Sequence, residues 1–188
     1  AAIRPPPNVT VSEWAAQNRV LSPEASAEQG RWRNSRTPYL VEIMDAYSDP
    51  RVHHIVVVAS SQVGKSEFEN NVIGRTIDVD PGSILFIHPV QTDAKEYSKL
   101  RIAPMIRDCP TLRAKVAESK SRDSGNTILQ KSALGRYSVR LRHHRDPRRE
   151  NLQGQGCVVS LPGVRLHFGR GDHEAGTRSL AGRKPGSL

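Results

Sequence analysis

The stretch HHIVVVASSQVGKSEFENNVIGRTIDV, residues 53–79, decides the fold. Its first eight residues, HHIVVVAS, form a short β-branched run that reads as a buried strand. KSEFENNVIGRTIDV then has the spacing of an amphipathic helix. Between them lies ASSQVGKSE, which fits the pattern G-x-x-x-x-G-K-[ST] except that Ala59 stands where the first glycine is expected. Backbone N–H groups around Gly64 and the partial positive charge of a helix start suit phosphate oxygens. The loop candidates are Ser61, Gln62, Val63, Gly64, Lys65 and Ser66. Lys65 would reach β- and γ-phosphates, and the Ser66 hydroxyl would be one ligand of a Mg²⁺ that arrives with the nucleotide. A bare GKS would read as no more than a strand-to-helix turn; the flanking elements favour nucleotide binding.

Working outward, GSILFIHP reads as a second strand and TDAKEYSKLRIAPMI as a second helix. Strand, helix, strand, helix implies a parallel sheet, and so an α/β fold with helices against it. NTILQKS and RYSVRL are expected to pair as a hairpin across Leu134-Gly135. Upstream, TPYLVEIMDAYSDP places Leu40, Ile43, Met44 and Tyr47 at helical spacing, and Ser12 is a candidate N-cap for a short helix before it. The organisation expected is an arm and loop over 1–36, the α/β domain over 37–134 and a basic tail over 135–188.

Charge and cysteine usage narrow the class. The 188 residues carry a formal net charge of +9, which favours polyanionic partners, nucleic acid first. Eleven Arg or Lys against four Asp or Glu from residue 135 onward, a surplus of seven, account for most of it. That segment is rich in Gly, Arg and Pro and is expected to be mostly disordered. Cys109 and Cys157 are far apart and suggest neither a disulfide framework nor a zinc site, in keeping with a reducing cytoplasm. No signal peptide or membrane span is expected, so the Asn8-Val9-Thr10 sequon reads as chance. In the tail, the tripeptide Arg170-Gly171-Asp172 and the scattered His143, His144, Asp146 and His173 read as chance and as solvated side chains.

Several segments carry a family resemblance: SEWAAQNRVLSPEASAEQGRWRNSRTPYLVEIMDAYSDPRV, VVVASSQVGKSE, SILFIHPVQTDAKEYSKLRIAPMIRDCP and SKSRDSGNTILQKS. Together, from about Val11 to Ser132, they resemble the ATPase domain of lambda-like large terminase subunits. The resemblance implies a P-loop NTPase-like fold that uses ATP and Mg²⁺ to drive double-stranded DNA into a capsid in the host bacterial cytoplasm. It implies a small terminase subunit and a portal as partners, a homo-oligomeric ring, and an endonuclease in the complete family member. Gln62, Gly64, Lys65 and Ser66 match the family's phosphate loop. Tyr39 matches an adenine-contacting segment, although its place on an amphipathic helix fits core packing as well. The segment HPVQTDAKEYSK resembles a DNA-tracking motif and makes Lys95, Lys99 and Arg101 candidate phosphate contacts; a solvated helix face is the plainer reading.

The sequence departs from that pattern in one respect. No apolar run ends in Asp-Glu, the pair expected to hold Mg²⁺ through water and to activate the attacking water. CVVSLPG and VRLHFGRG end without a carboxylate, and Asp78 and Asp80 read as turn residues. The abrupt change of composition suggests a truncation or a shift of reading frame near residue 135. A degenerate prophage remnant that binds DNA non-specifically is the alternative. Without a water-activating group, turnover is expected to fall by about two to four orders of magnitude. A Lys65-dependent ATPase rate near one per second in a steady-state assay would overturn that expectation.

Overall fold

The computed structural model describes residues 8–60, 62–88, 90–116, 127–133, 137–143, 158–161 and 164–170. Helix α1 spans Val11–Asn18. Its cap is Thr10, two residues before the expected Ser12: the Thr10 side chain accepts from Glu13 N–H and the Glu13 carboxylate accepts from Thr10 N–H. Ser12 turns inward instead and donates to Asp45. A two-strand ribbon follows, β1 (Val20–Leu21) and β2 (Gly30–Arg31), and leads through a 3₁₀ turn, Asn34–Arg36, into α2, Pro38–Ser48. Pro38 opens α2, where its missing N–H has no helical partner to lose.

The strand and helix read from residues 53–79 are β3, His54–Ala59, and α3, Lys65–Asp78. Next come β4 (Ile84–His88) and α4 (Gln91–Tyr97), a π-helical turn over Ser98–Ile102, α5 (Ala103–Asp108) and α6 (Pro110–Lys115). The expected hairpin is present: β5, Gln130–Ala133, runs antiparallel to β6, Tyr137–His143.

Two further strands stand within the segment expected to be mostly disordered. β7 (Val158–Leu161) and β8 (Val164–Arg170) form an antiparallel pair there that the sequence reading did not anticipate. They sit between β3 and β4, giving the order β3-β8-β7-β4-β6-β5. The sheet is therefore mixed, not purely parallel: β3·β8 and β4·β6 are parallel, and the other three ladders are antiparallel. The signal was the alternation Val164, Leu166, Phe168 against Arg165, His167, Gly169, which the Gly and Arg content obscured.

Helices cover the sheet face that carries buried Val57, Ile84, Phe86, Val139, Leu141 and Leu166. The opposite face carries exposed Val56, Val58, Arg140, Arg142 and Arg165. Among the described residues, no helix is long and apolar enough to cross a membrane.

α1 and α3 approach each other closely in the helical layer. Trp14 is 1% exposed and lies directly over Gly74, where an added Cβ would overlap the indole ring carbons. Its Nε1–H donates to Asp78 at 2.7 Å, and Asp78 also pairs with Lys115 at 2.6 Å. Asp78 is thus a structural anchor joining α1, α3 and α6. Gly74→Ala should destabilise the fold by about 1–3 kcal/mol, as overpacking of a filled core does. An unchanged urea midpoint in that variant would mean that the indole does not rest on the Gly74 backbone.

Candidate functional site

β3 ends at Ala59, and the chain turns into α3 through two left-handed residues, Gln62 at φ 65° and Gly64 at φ 82°. A side chain at Gly64 would be strained by its φ and would also meet Leu40 Cδ1 at 3.3 Å, so glycine is required there on two grounds. Lys65 is the first residue of α3 and Ser66 the second. Lys65 Nζ folds back across the loop and donates to the Ala59 carbonyl at 2.9 Å. The ammonium therefore spans the concavity between strand end and helix start. Ser61 lies outside the described residues.

Tyr39 joins the loop from α2. It is 54% exposed, so it is not a core residue, and its hydroxyl donates to the Val63 carbonyl at 3.2 Å. A cavity of about 540 Å³ adjoins the loop and is lined by Trp32, Arg33, Arg36, Thr37, Gly64 and Glu67, among others. Of the candidate nucleic-acid contacts, Lys95 and Lys99 are exposed on α4 and the π turn. Arg101 instead turns inward, donating to the Ala25 carbonyl and lying 3.5 Å from Glu67.

β3, β8, β4 and β6 run in one direction, so their C-terminal ends share the edge of the sheet where the loop lies. Ala59 is in register with Arg170, and His88 with His143. Ligands of open α/β sheets collect at that edge.

The family model for the phage terminase large subunit gpA, ATPase domain, matches residues 26–144. The chain belongs to that terminase ATPase family. It is similar to the terminase large subunit of Escherichia phage lambda, 31% identical over 128 residues, covering 68% of this chain and 20% of the relative. It is also similar to the terminase large subunit of Enterobacteria phage P21, 28% identical over 107 residues, covering 57% of this chain and 16% of the relative. The chain thus spans about a fifth or less of the length of the curated relatives it matches. No solved structure matches it. The family match runs to residue 144, beyond the break expected near residue 135, and takes in β6.

Beside the loop between β3 and α3, two carboxylates that sequence reasoning passed over shape the electrostatics. Glu67, in the first turn of α3, pairs with Arg19 at 2.8 Å; Arg19 is 2% exposed and also donates to the Val20 carbonyl. With Arg101 as a second cation, Glu67 leaves little net negative charge beside the loop. Its place in a first helical turn was a sequence signal, since a carboxylate there complements the helix dipole. Glu69 is 4% exposed, and burial raises its pKa to about 8, partly offset by a hydrogen bond from Tyr97 and by Lys65. It is therefore a neutral acid at pH 7. His88, at the end of β4, is pushed the other way by burial, to about 4, and is neutral too. Glu67 is thus held by two arginines, and Glu69 is buried and protonated.

Glu69 gives a pH test with a definite sign. Between its ordinary value of 4.5 and about 8 the folded state holds a proton that the unfolded state releases, so stability falls as pH rises through that window. Glu69→Gln should remove this loss, gaining on the wild type by up to about 1.4 kcal/mol per pH unit across the window. Parallel stability-versus-pH curves for the two proteins in chemical denaturation would count against a neutral Glu69. His88 titrates in both proteins and cancels from the difference.

Proposed function

We propose that this chain is the nucleotide-binding part of a phage DNA-packaging terminase and that it holds ATP with Mg²⁺ at the loop between β3 and α3. The observation that carries the reading is the strand, the two left-handed residues Gln62 and Gly64, and Lys65 at the start of a 14-residue helix. That geometry turns successive N–H groups and a helix N-terminus toward one point, as a phosphate site requires. Gln62, Val63 and Gly64 wrap the phosphates, with Ser61 completing the loop. Lys65 exchanges the Ala59 carbonyl for phosphate oxygens. Ser66 supplies a hard hydroxyl oxygen of the kind Mg²⁺ takes, with the remaining ligands coming from phosphate and water.

Tyr39 is the proposed base contact. Thr37, two residues before it, lines the cavity of about 540 Å³, and that volume is within the range of small-ligand sites. Lys95 and Lys99 are the proposed contacts to duplex DNA, with Arg101 behind them. Translocation of DNA into a capsid, a ring of copies, the small terminase subunit and the portal as partners, and the host cytoplasm as the setting follow from the family resemblance; so does an endonuclease in the complete protein.

Mg-ATP at a hundred times its dissociation constant should stabilise the folded chain by about 2.7 kcal/mol, read as a shift in thermal or chemical denaturation. Lys65→Ala should abolish the gain. Equal stabilisation of wild type and variant would remove the loop from the binding site.

A second reading, a non-specific DNA-binding module, is favoured by exposed Arg140, Arg142 and Arg165 on the sheet face opposite the described helices. On that reading, duplex affinity falls steeply with salt, and replacing the three by glutamine weakens it equally for all sequences. Affinity unchanged in the triple variant would discard it.

A further inference from the structure

The π turn Ser98–Ile102 is tied to the first two turns of α3 from both of its sides. Tyr97, the residue before it, brings its hydroxyl within 3.3 Å of the Ser66 carbonyl, 3.1 Å of Glu69 Oε2 and 2.9 Å of Asn70 Oδ1. Arg101, inside the turn, lies 3.5 Å from Glu67. The wide turn is genuine in its bonding, since Ala103 N–H reaches the Ser98 carbonyl five residues back. Such turns occur inside helices at functional positions more often than elsewhere. Between the two ties, Lys99 and Leu100 face outward, Leu100 at 57% exposure.

The Tyr97 hydroxyl is the donor to all three groups. Its one phenolic proton is shared among them, with the Asn70 oxygen nearest at 2.9 Å. The ring itself is held apart from this, against Phe86 at 4.8 Å and His88 at 5.1 Å between centroids. Ser66 is the same residue whose hydroxyl would take Mg²⁺, and its carbonyl accepts from the Tyr97 hydroxyl.

We propose that Tyr97 is a positioning residue that couples occupancy of the phosphate loop to the π turn, so that nucleotide binding resets the turn presenting Lys99 and Leu100. This rests on the reading of the loop as a nucleotide site. The coupling runs through Ser66 and Glu67 on one side and Tyr97 and Arg101 on the other, with no contact between the ligand and the turn itself. It assigns the turn to reporting nucleotide state on the outer surface, where the proposed DNA contact Lys99 stands.

Hydrogen exchange of the full chain, read by mass spectrometry with and without saturating Mg-ATP, tests this. In the wild type, peptides covering the loop and peptides covering 98–102 should both change, the latter by at least about threefold in exchange rate. Tyr97→Phe keeps the ring contacts and removes the hydroxyl; the loop should still respond, and the response at 98–102 should vanish. If Tyr97→Phe does not fold, Arg101→Gln cuts the other tie and should at least halve the response. A loop that responds while 98–102 stays silent in the wild type overturns the coupling alone, as does an undiminished response at 98–102 in the folded variant. A wild-type loop that ignores Mg-ATP overturns the nucleotide reading and the coupling with it.

Discussion

The direction of α3 depends on one steric fit, the indole of Trp14 against the bare backbone of Gly74. The loop between β3 and α3 is only as well placed as the helix it opens, and α3 is seated further by its buried Phe68, Val72, Ile73 and Ile77. Hydrogen bonding at Asp78 fixes the far end of the helix, and the Glu67 ion pairs fix the near end. With the middle seated on Trp14, the helix is pinned at three points along its length. A helix so restrained presents its N-terminal N–H groups with little reorganisation, which is what binding an anion by backbone dipoles demands.

The charges around that N-terminus are arranged so that acidic side chains do not spoil it. α3 carries Glu67 and Glu69 within its first two turns, and both as free carboxylates would oppose a polyphosphate. One is covered by two arginines, the other is kept protonated by burial and accepts from a tyrosine. The two solutions differ in kind: Coulombic pairing at a partly exposed position, desolvation at a closed one. Each also does structural work, Glu67 drawing in the segment after α1 and Glu69 joining α4.

How much of this was legible in the sequence can be judged element by element. Runs with strong periodicity were readable: the apolar strand before the loop, the helix after it, and the Leu40, Met44, Tyr47 face of α2 all stand where the spacing put them. Gln62 and Gly64 take positive φ between β3 and α3 for the same reason, since local geometry is written in local residue types. What could not be read was long-range. Nothing near His54 says that its partner is Arg165, and a Gly- and Arg-rich composition hid a two-residue alternation that only a sheet neighbour makes worthwhile. Side-chain burial was equally hidden: Tyr39 on an apolar helix is exposed, whereas Glu69 on a polar stretch is closed off. The cap at Thr10 was a nearer miss, because Thr-x-x-Glu was present and Ser12 competed with it.

The pairing of β3 with β8 has a consequence for the order in which the molecule is made. Ala59 has left the ribosome long before Arg165 is added, more than 100 residues later. At ordinary rates of synthesis that interval is roughly 5 to 20 seconds. Through it, the strand that leads into the loop lacks its β8 neighbour, and Val57 lacks the burial it has in the finished sheet. The strand that ends at Ala59 is therefore made well before the strand it pairs with exists.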